Sequence, residues 1–398
     1  MTIYDSFGVR TIINAKGTAT RLSGGIMRAE VAEAMRQASQ HCVDIAELQA
    51  AASQEIAKAT GAEAGYVASG ASACLLLAAA ACLAGLDPGR MARLPETSGM
   101  PNEIIMVRSQ RNFYDHAIRA AGAKIIEVGL PDRFAGAGVR DAEIWEIEDA
   151  VSERTAAIFY VADALALPPL PAISALAKRR NISMIVDAAA QLPPASNLKR
   201  FVAEGADLVA YSGGKVLGGP QASGILCGRK DLIMSAALQH LDLDIYDDMW
   251  APPPQLIDRN KLKGTPQHGI GRSCKAGKEE IVGVLTALRL FTAETDDARH
   301  KNWMAILEDI AGNLESPSHH YVTIEGANDP RAIPLLVIQC QGRTSLASDI
   351  IKKLISGSPS IHTDPFRRAA NQIIINPVCL HPVDTKVVAA KIKQLLSA

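Results

Sequence analysis

A lysine set behind two glycines at the end of an apolar run is the most chemically pointed feature of this chain. Ser212-Gly-Gly-Lys215 follows Asp207-Leu-Val-Ala-Tyr211 and leads into Val216-Leu-Gly-Gly-Pro220. With no acidic residue beside it, such an amine can be partly desolvated, which lowers its pKa and leaves it a nucleophile toward an aldehyde. A lysine in a solvated loop could show the same glycines, but not the tight apolar segment that follows. Asp187 stands 28 residues earlier, at the end of Ser183-Met-Ile-Val186 and before Ala188-Ala-Ala190. A carboxylate closing an apolar strand is costly to desolvate unless a cation pairs with it. It could simply cap a helix. A protonated pyridine nitrogen is the cation that would give it chemistry, because a ring held positive accepts electrons from a carbanion at an amino acid's α-carbon. An amine that takes an aldehyde and a carboxylate that takes a pyridinium point together to pyridoxal 5'-phosphate (PLP).

Two further stretches suit that cofactor. Ser69-Gly-Ala-Ser72 opens an apolar helical segment. Unpaired N–H groups and the positive helix end suit a phosphate there, small side chains permit close approach, and the hydroxyls of Ser69 and Ser72 add donors. Junctions of this composition also serve as plain caps. Ser212 would supply another hydroxyl to the phosphate. Tyr114-Asp115-His116 offers an aromatic plane for one face of the pyridine ring, and His116 could also move protons; a surface histidine near a helix start is the competing reading.

The elements that must position these residues alternate along the chain. Short apolar strands are expected at 66–68, 104–107, 124–128, 156–161, 183–187, 207–211 and 223–228, with helical stretches between several of them. Strands alternating with helices imply a mostly parallel sheet covered on both faces, and ligands of such sheets bind beyond the carboxyl ends of the strands, where all four motifs fall. Two helices are expected within 26–60. Pro252-Pro-Pro254 and the polar stretch to Gly271 read as a long functional or interface loop. A helix from Lys278 leads to strands at 321–324, 334–339 and 372–375 and helices around 345–355 and 385–396. The expected division is an N-terminal arm with helices (1–60), a large domain (61–290) and a small α/β domain (291–398).

Composition narrows the function classes. A formal net charge of -1, from 41 basic and 42 acidic residues, gives no global field for nucleic acid or anionic membrane. The seven cysteines are odd in number, scattered, and never spaced C-x-x-C, which reads as thiols in a reducing cytoplasm rather than a disulfide framework or zinc knuckle. The N-terminus shows no export signal. The apolar run 73–86 has fourteen residues where a membrane span needs about 20, so a buried helix is expected. His319-His320 are adjacent rather than one helical turn apart, so no metal site is expected, and Gly136-Ala-Gly138 lacks the third glycine of a dinucleotide motif.

With these residues in view, the chain resembles the selenocysteine synthase-like (SelA-like) branch of fold-type I PLP enzymes, and within it the D-glucosaminate-6-phosphate ammonia-lyase group. The matching stretches are Ile13-Asn-Ala-Lys-Gly17, Val43-Asp-Ile-Ala-Glu-Leu48, Gly61-Ala-Glu-Ala64 with Ala68-Ser-Gly-Ala-Ser72, Val186-Asp-Ala-Ala-Ala-Gln-Leu-Pro193, Ser212-Gly-Gly-Lys215 with Gly218-Gly-Pro-Gln-Ala-Ser-Gly224, and Gly271-Arg-Ser-Cys-Lys-Ala-Gly-Lys-Glu-Glu280. The resemblance implies an aspartate-aminotransferase-like α/β fold, with a mostly parallel seven-stranded sheet and a small α/β C-terminal domain. It implies Lys215 as the Schiff-base lysine, Asp187 on the pyridine nitrogen and His116 over the ring. Ser69, Gly70, Ala71, Ser72, Gln191 and Ser212 would complete the cofactor contacts. It also implies a cytoplasmic homodimer, or a higher homo-oligomer, with shared sites, in which loop His268-Gly-Ile-Gly-Arg272 closes the neighbour's site. Arg272, His268 and Arg367 (or Arg368) are the candidate contacts for the substrate's anionic groups.

The reaction this favours is α,β-elimination from a β-hydroxy amino acid, phosphorylated or otherwise acidic and sugar-derived, giving a 2-keto acid and ammonia. An isomerase or racemase, an aldolase or a transferase on an amino acid would use the same groups. Selenium transfer to seryl-tRNA is disfavoured by the charge and by a core motif that starts near residue 13, and a non-catalytic module is the remaining alternative.

Overall fold

The computed structural model describes residues 2–130, 141–314 and 320–397; Gly136-Ala-Gly138 and His319 lie outside them. Spatial grouping gives two units, one of residues 27–192 and 196–290, the other of residues up to 26, 193–195 and from 291 onward. The segment expected as 1–60 is therefore divided at residue 26, its two helices, Ala29–Ala38 and Ile45–Thr60, going with the large sheet.

The larger unit is built on a seven-stranded sheet. From one edge its strands run Ala64–Ala68, Gly224–Gly228, Leu208–Ser212, Ser183–Asp187, Thr155–Val161, Glu103–Val107 and Lys124–Val128. Gly224–Gly228 is antiparallel to both neighbours and every other pairing is parallel. Six strands therefore end on one edge, where the seventh begins. The apolar, β-branched composition follows from position: helices cover the sheet, so strand residues on either face are mostly buried, except on the edge strand Lys124–Val128, where only Val128 is. Helix Ala71–Ala84 lies across the central strands and is buried nearly all round, with Ser72 in its first turn exposed.

Close approach is bought with glycine. At Gly65, on the edge strand, a Cβ would stand 2.3 Å from Ile56 Cγ2 of helix Ile45–Thr60. Gly65→Ala should lower the midpoint of urea unfolding by an amount worth about 1–3 kcal/mol, the usual cost of overpacking; an unchanged midpoint would show that the helix can back away freely.

In the smaller unit Ile12–Ala15 pairs in parallel with Ser360–Thr363, and Tyr321–Glu325, Leu335–Gln339 and Gln372–Ile375 form an antiparallel sheet. Helices Asp296–Leu314, Leu346–Ser356 and Thr385–Leu396 bury their apolar faces in one core with these strands. Among the described residues no helix is long and apolar enough to cross a membrane.

Candidate active site

Sheet register gathers the sequence motifs. Ala68 and Ser212 both pair with Gly224, Ala210 pairs with Asp187, and Asp187 pairs with Val161. The turn after Ala68, the turn after Ser212 and the carboxylate of Asp187 thus share one edge, that of the strands' carboxyl ends. Gly224 sits under the first of these turns: a Cβ there would be 2.3 Å from the Gly70 carbonyl carbon and 2.6 Å from the Ala71 nitrogen. Gly70 takes φ 153 as cap of helix Ala71–Ala84. The N–H groups of that helix's first turn have no intrahelical acceptor, and with Gly70, Ala71 and the exposed Ser72 they form an anion seat. The Ser69 N–H is not part of it, being donated to the Cys274 carbonyl at 3.0 Å.

Lys215 lies in the turn beyond Ser212, half-buried. That turn is tightly wound: Gly213 N–H donates to the Ser223 carbonyl (2.9 Å), Gly218 N–H to the Lys215 carbonyl (2.9 Å), and a Cβ on Gly214 would stand 2.6 Å from the Gln221 backbone. Asp187 is 8% exposed, and its Oδ1 accepts a hydrogen bond from the Ala189 N–H at 3.0 Å. Burial pushes its carboxyl above the ordinary carboxylate range, opposed by the Ala189 N–H and by the charge of Lys215. Burial likewise pushes the Lys215 amine down, with Asp187 opposing. The two groups feel one another, yet both lean toward their neutral forms, because each has lost more hydration than its partner returns.

These residues fit PLP. A buried carboxylate held by one N–H needs a cation, which a protonated pyridine nitrogen provides; an amine held toward neutrality is the form that attacks an aldehyde; and the phosphate matches the first turn of helix Ala71–Ala84, with the Ser212 hydroxyl, which has no hydrogen-bond partner among the described residues, close across Gly224. Gln191 donates from Nε2 to the Ala162 carbonyl (2.6 Å), bracing the chain just past Asp187.

Other expected site residues are engaged elsewhere. His116 is exposed in the first turn of helix Asp115–Ala120, its Nδ1 2.9 Å from Arg119 Nη2. That helix packs against Ala71–Ala84 and is anchored by Asp115, buried between Arg111 (2.6 Å) and Arg119 (3.1 Å). Arg272 donates from Nη1 to the His240 carbonyl (2.8 Å) and from Nη2 to Asp242 (3.1 Å), while His268 Nε2 lies 3.4 Å from the same carboxylate. Arg367 makes a two-pronged pair with Glu325, at 2.7 and 2.9 Å, and Arg368 turns back to the Pro365 carbonyl. Sequence reading missed His240 and Tyr66, which are buried under the anion seat. Their only sequence signal is a polar group inside an apolar run.

Comparison with known proteins agrees with this architecture. The family profile described as L-seryl-tRNA selenium transferase (SelA) matches residues 12–244. The 5'-C-glycyluridine monooxygenase-decarboxylase of a Streptomyces species is 30% identical to this chain, over 99% of it and 92% of the relative. The D-glucosaminate-6-phosphate ammonia lyase of Salmonella typhimurium is 28% identical, over 99% and 97%. A solved D-glucosaminate-6-phosphate ammonia-lyase superposes with a TM-score of 0.80 at 27% identity, covering 100% of this chain and 98% of the other. The fold is that of the fold-type I PLP enzymes. A profile spanning more than half of the chain, and likeness at full length to the Streptomyces protein, lead to one conclusion: the chain belongs to the SelA family.

Proposed function

We propose that this protein is a PLP-dependent lyase that removes ammonia from a β-hydroxy amino acid, phosphorylated or otherwise acidic, and releases a 2-keto acid. The observation that carries the reading is that a desolvated lysine and a desolvated carboxylate lie on the same sheet edge as the open first turn of helix Ala71–Ala84. The full-length likeness to D-glucosaminate-6-phosphate ammonia lyase supports the choice of elimination.

PLP, when bound, supplies an electron sink that lowers the cost of negative charge at the substrate's α-carbon. Each residue then has a definite task. The first-turn N–H groups of Gly70, Ala71 and Ser72, with the Ser69 and Ser212 hydroxyls, hold the phosphate and so fix the ring's position. Asp187 would hold the ring nitrogen protonated, and that cation would relieve the carboxylate's own unpaired burial. Lys215 Nζ, once free of the cofactor, would take the α-proton, and burial favours the neutral amine that this role needs by lowering its pKa. His116, whose Nδ1 lies against Arg119, would have to present its other ring nitrogen to cover the ring and pass a proton to the departing β-hydroxyl. Gln191 orients the segment behind Asp187. His268 and Arg272 share Asp242, so an anionic substrate engages them only by exchange with that carboxylate, and Arg367 must likewise leave Glu325. Free thiols at all seven cysteines support a reducing, cytoplasmic setting. We place the protein there as a homodimer whose sites are completed by the neighbour's loop 268–272.

Hydroxylated D- and L-amino acids, free and phosphorylated, should include at least one that yields equal amounts of ammonia and 2-keto acid. Exchange of the α-hydrogen with deuterated water and no net product from any of them would sink elimination in favour of an isomerase. A second reading, oxidative decarboxylation, is favoured by likeness to the Streptomyces monooxygenase-decarboxylase; uptake of dioxygen with release of carbon dioxide would single it out.

A further inference from the structure

Beneath the anion seat lies a chain of buried polar contacts. His240, the last residue of helix Lys230–His240, is 2% exposed. Its Nε2 stands 3.0 Å from the Cys274 carbonyl oxygen, and its Nδ1 2.8 Å from the hydroxyl of Tyr66, which is fully buried in the edge strand. A carbonyl can only accept, so Nε2 carries the proton and Nδ1 receives the Tyr66 hydroxyl. Burial, more than anything else, pushes the imidazole pKa down to about 4, so the ring stays neutral in this tautomer at physiological pH. The same Cys274 oxygen accepts the Ser69 N–H at 3.0 Å. One carbonyl thus ties the residue that begins the phosphate turn to a histidine anchored in the sheet.

The loop that bears this carbonyl is pressed onto the same helix end. Arg272 Nη1 donates to the His240 carbonyl (2.8 Å), and Cβ atoms at Gly269 and Gly271 would stand 2.5 Å from Gln239 Cα and 2.8 Å from the Gln239 oxygen. The Cys274 oxygen therefore has little freedom, and what holds it in line with Ser69 is the second donor, Nε2.

We infer that His240 is a positioning residue of the cofactor site, setting the phosphate turn through the Cys274 carbonyl, with Tyr66 fixing the tautomer that lets it do so. This rests on the reading of residues 69–72 as the phosphate cradle, and its test separates the two. In purified apoprotein shown to be folded by far-UV circular dichroism, PLP is titrated by fluorescence, and the ³¹P resonance of the bound cofactor is recorded. His240→Ala should weaken PLP binding about 10- to 100-fold, the range for a buried carbonyl that loses one of its donors, and move the phosphorus resonance. His240→Gln, whose amide can reach the same oxygen, should return the affinity to within about threefold of wild type. Tyr66→Phe should shift both readouts in the same direction as His240→Ala, because a ring without its hydroxyl partner can turn an unprotonated nitrogen on the carbonyl; this variant carries the test if His240→Ala does not fold. Gly224→Ala, which drives a methyl into the Gly70 turn, is the control for the cradle itself. Weakened binding in Gly224→Ala with unchanged affinity and phosphorus shift in the His240 and Tyr66 variants would overturn the proposal and leave the cradle standing. Unchanged binding in Gly224→Ala would remove the cradle, and the proposal with it.

Discussion

Lys215→Ala protein should be folded and without turnover, its activity down by about 10⁴-fold or more, since on the proposed reading one side chain both carries the cofactor and moves the α-proton. The fold should survive because the amine is a strained guest. Burial lowers its pKa, so below that folded-state value the native protein must hold a desolvated charge that the unfolded chain keeps in water. Wild-type apoprotein accordingly gains stability as pH rises from the folded pKa toward the ordinary lysine value of 10.5, and the alanine variant lacks that gain. Circular dichroism and loss of the holoenzyme's visible band check the two halves. Turnover near the wild-type rate would end the assignment of position 215.

Asp187→Asn should separate function from stability in the opposite sense. Turnover should fall about 10²- to 10³-fold, because a neutral amide could not hold the ring nitrogen protonated as the proposed mechanism requires of Asp187. The apoprotein, however, should unfold at a higher temperature than wild type at neutral pH. Burial raises the folded-state pKa of Asp187 above 3.8, so the native state holds its proton more tightly than the unfolded state. Stability is then lost as pH climbs from the unfolded pKa through the folded one, and stays lost above it. Asparagine keeps an oxygen for the Ala189 N–H and removes the charge. The difference between the proteins should close below pH 3.8, where the carboxyl is protonated in both states. Equal melting temperatures at neutral pH, together with undiminished activity, would mean that Asp187 meets neither a low-dielectric pocket nor a pyridinium.

Much of the large sheet was legible because its strands are short apolar runs between turn signals: Lys124–Val128 and Ser183–Asp187 begin and end where the pattern does, and the other five strands agree within two residues. The edge carrying Lys215, Asp187 and Ser212 followed from α/β alternation alone. Ile12–Ala15 and Ser360–Thr363 were not legible, because four-residue strands carry too little periodicity and their partner lies at the far end of the chain. Side-chain engagement was equally hidden. Nothing local marks Arg367 as the partner of Glu325, or Arg272 as the cap of the helix ending at His240, since a guanidinium's partner is chosen by folding and not by spacing. The engagement of the Ser69 N–H was hidden for the same reason: its acceptor, the Cys274 carbonyl, sits more than two hundred residues downstream.

The bare Cα at 224 has a consequence for which vitamin-B6 derivatives can be used. It lies between Ala68, which leads to the first turn, and Ser212, which leads to Lys215, so on the proposed reading the span from phosphate to aldehyde would be set by a side chain that is missing. A methyl there would spread the two turns, and a rigid ring of fixed length could then satisfy one end or the other. On the proposed reading of the site, Gly224→Ala would therefore weaken the phosphorylated cofactor more than its shorter, unphosphorylated counterpart.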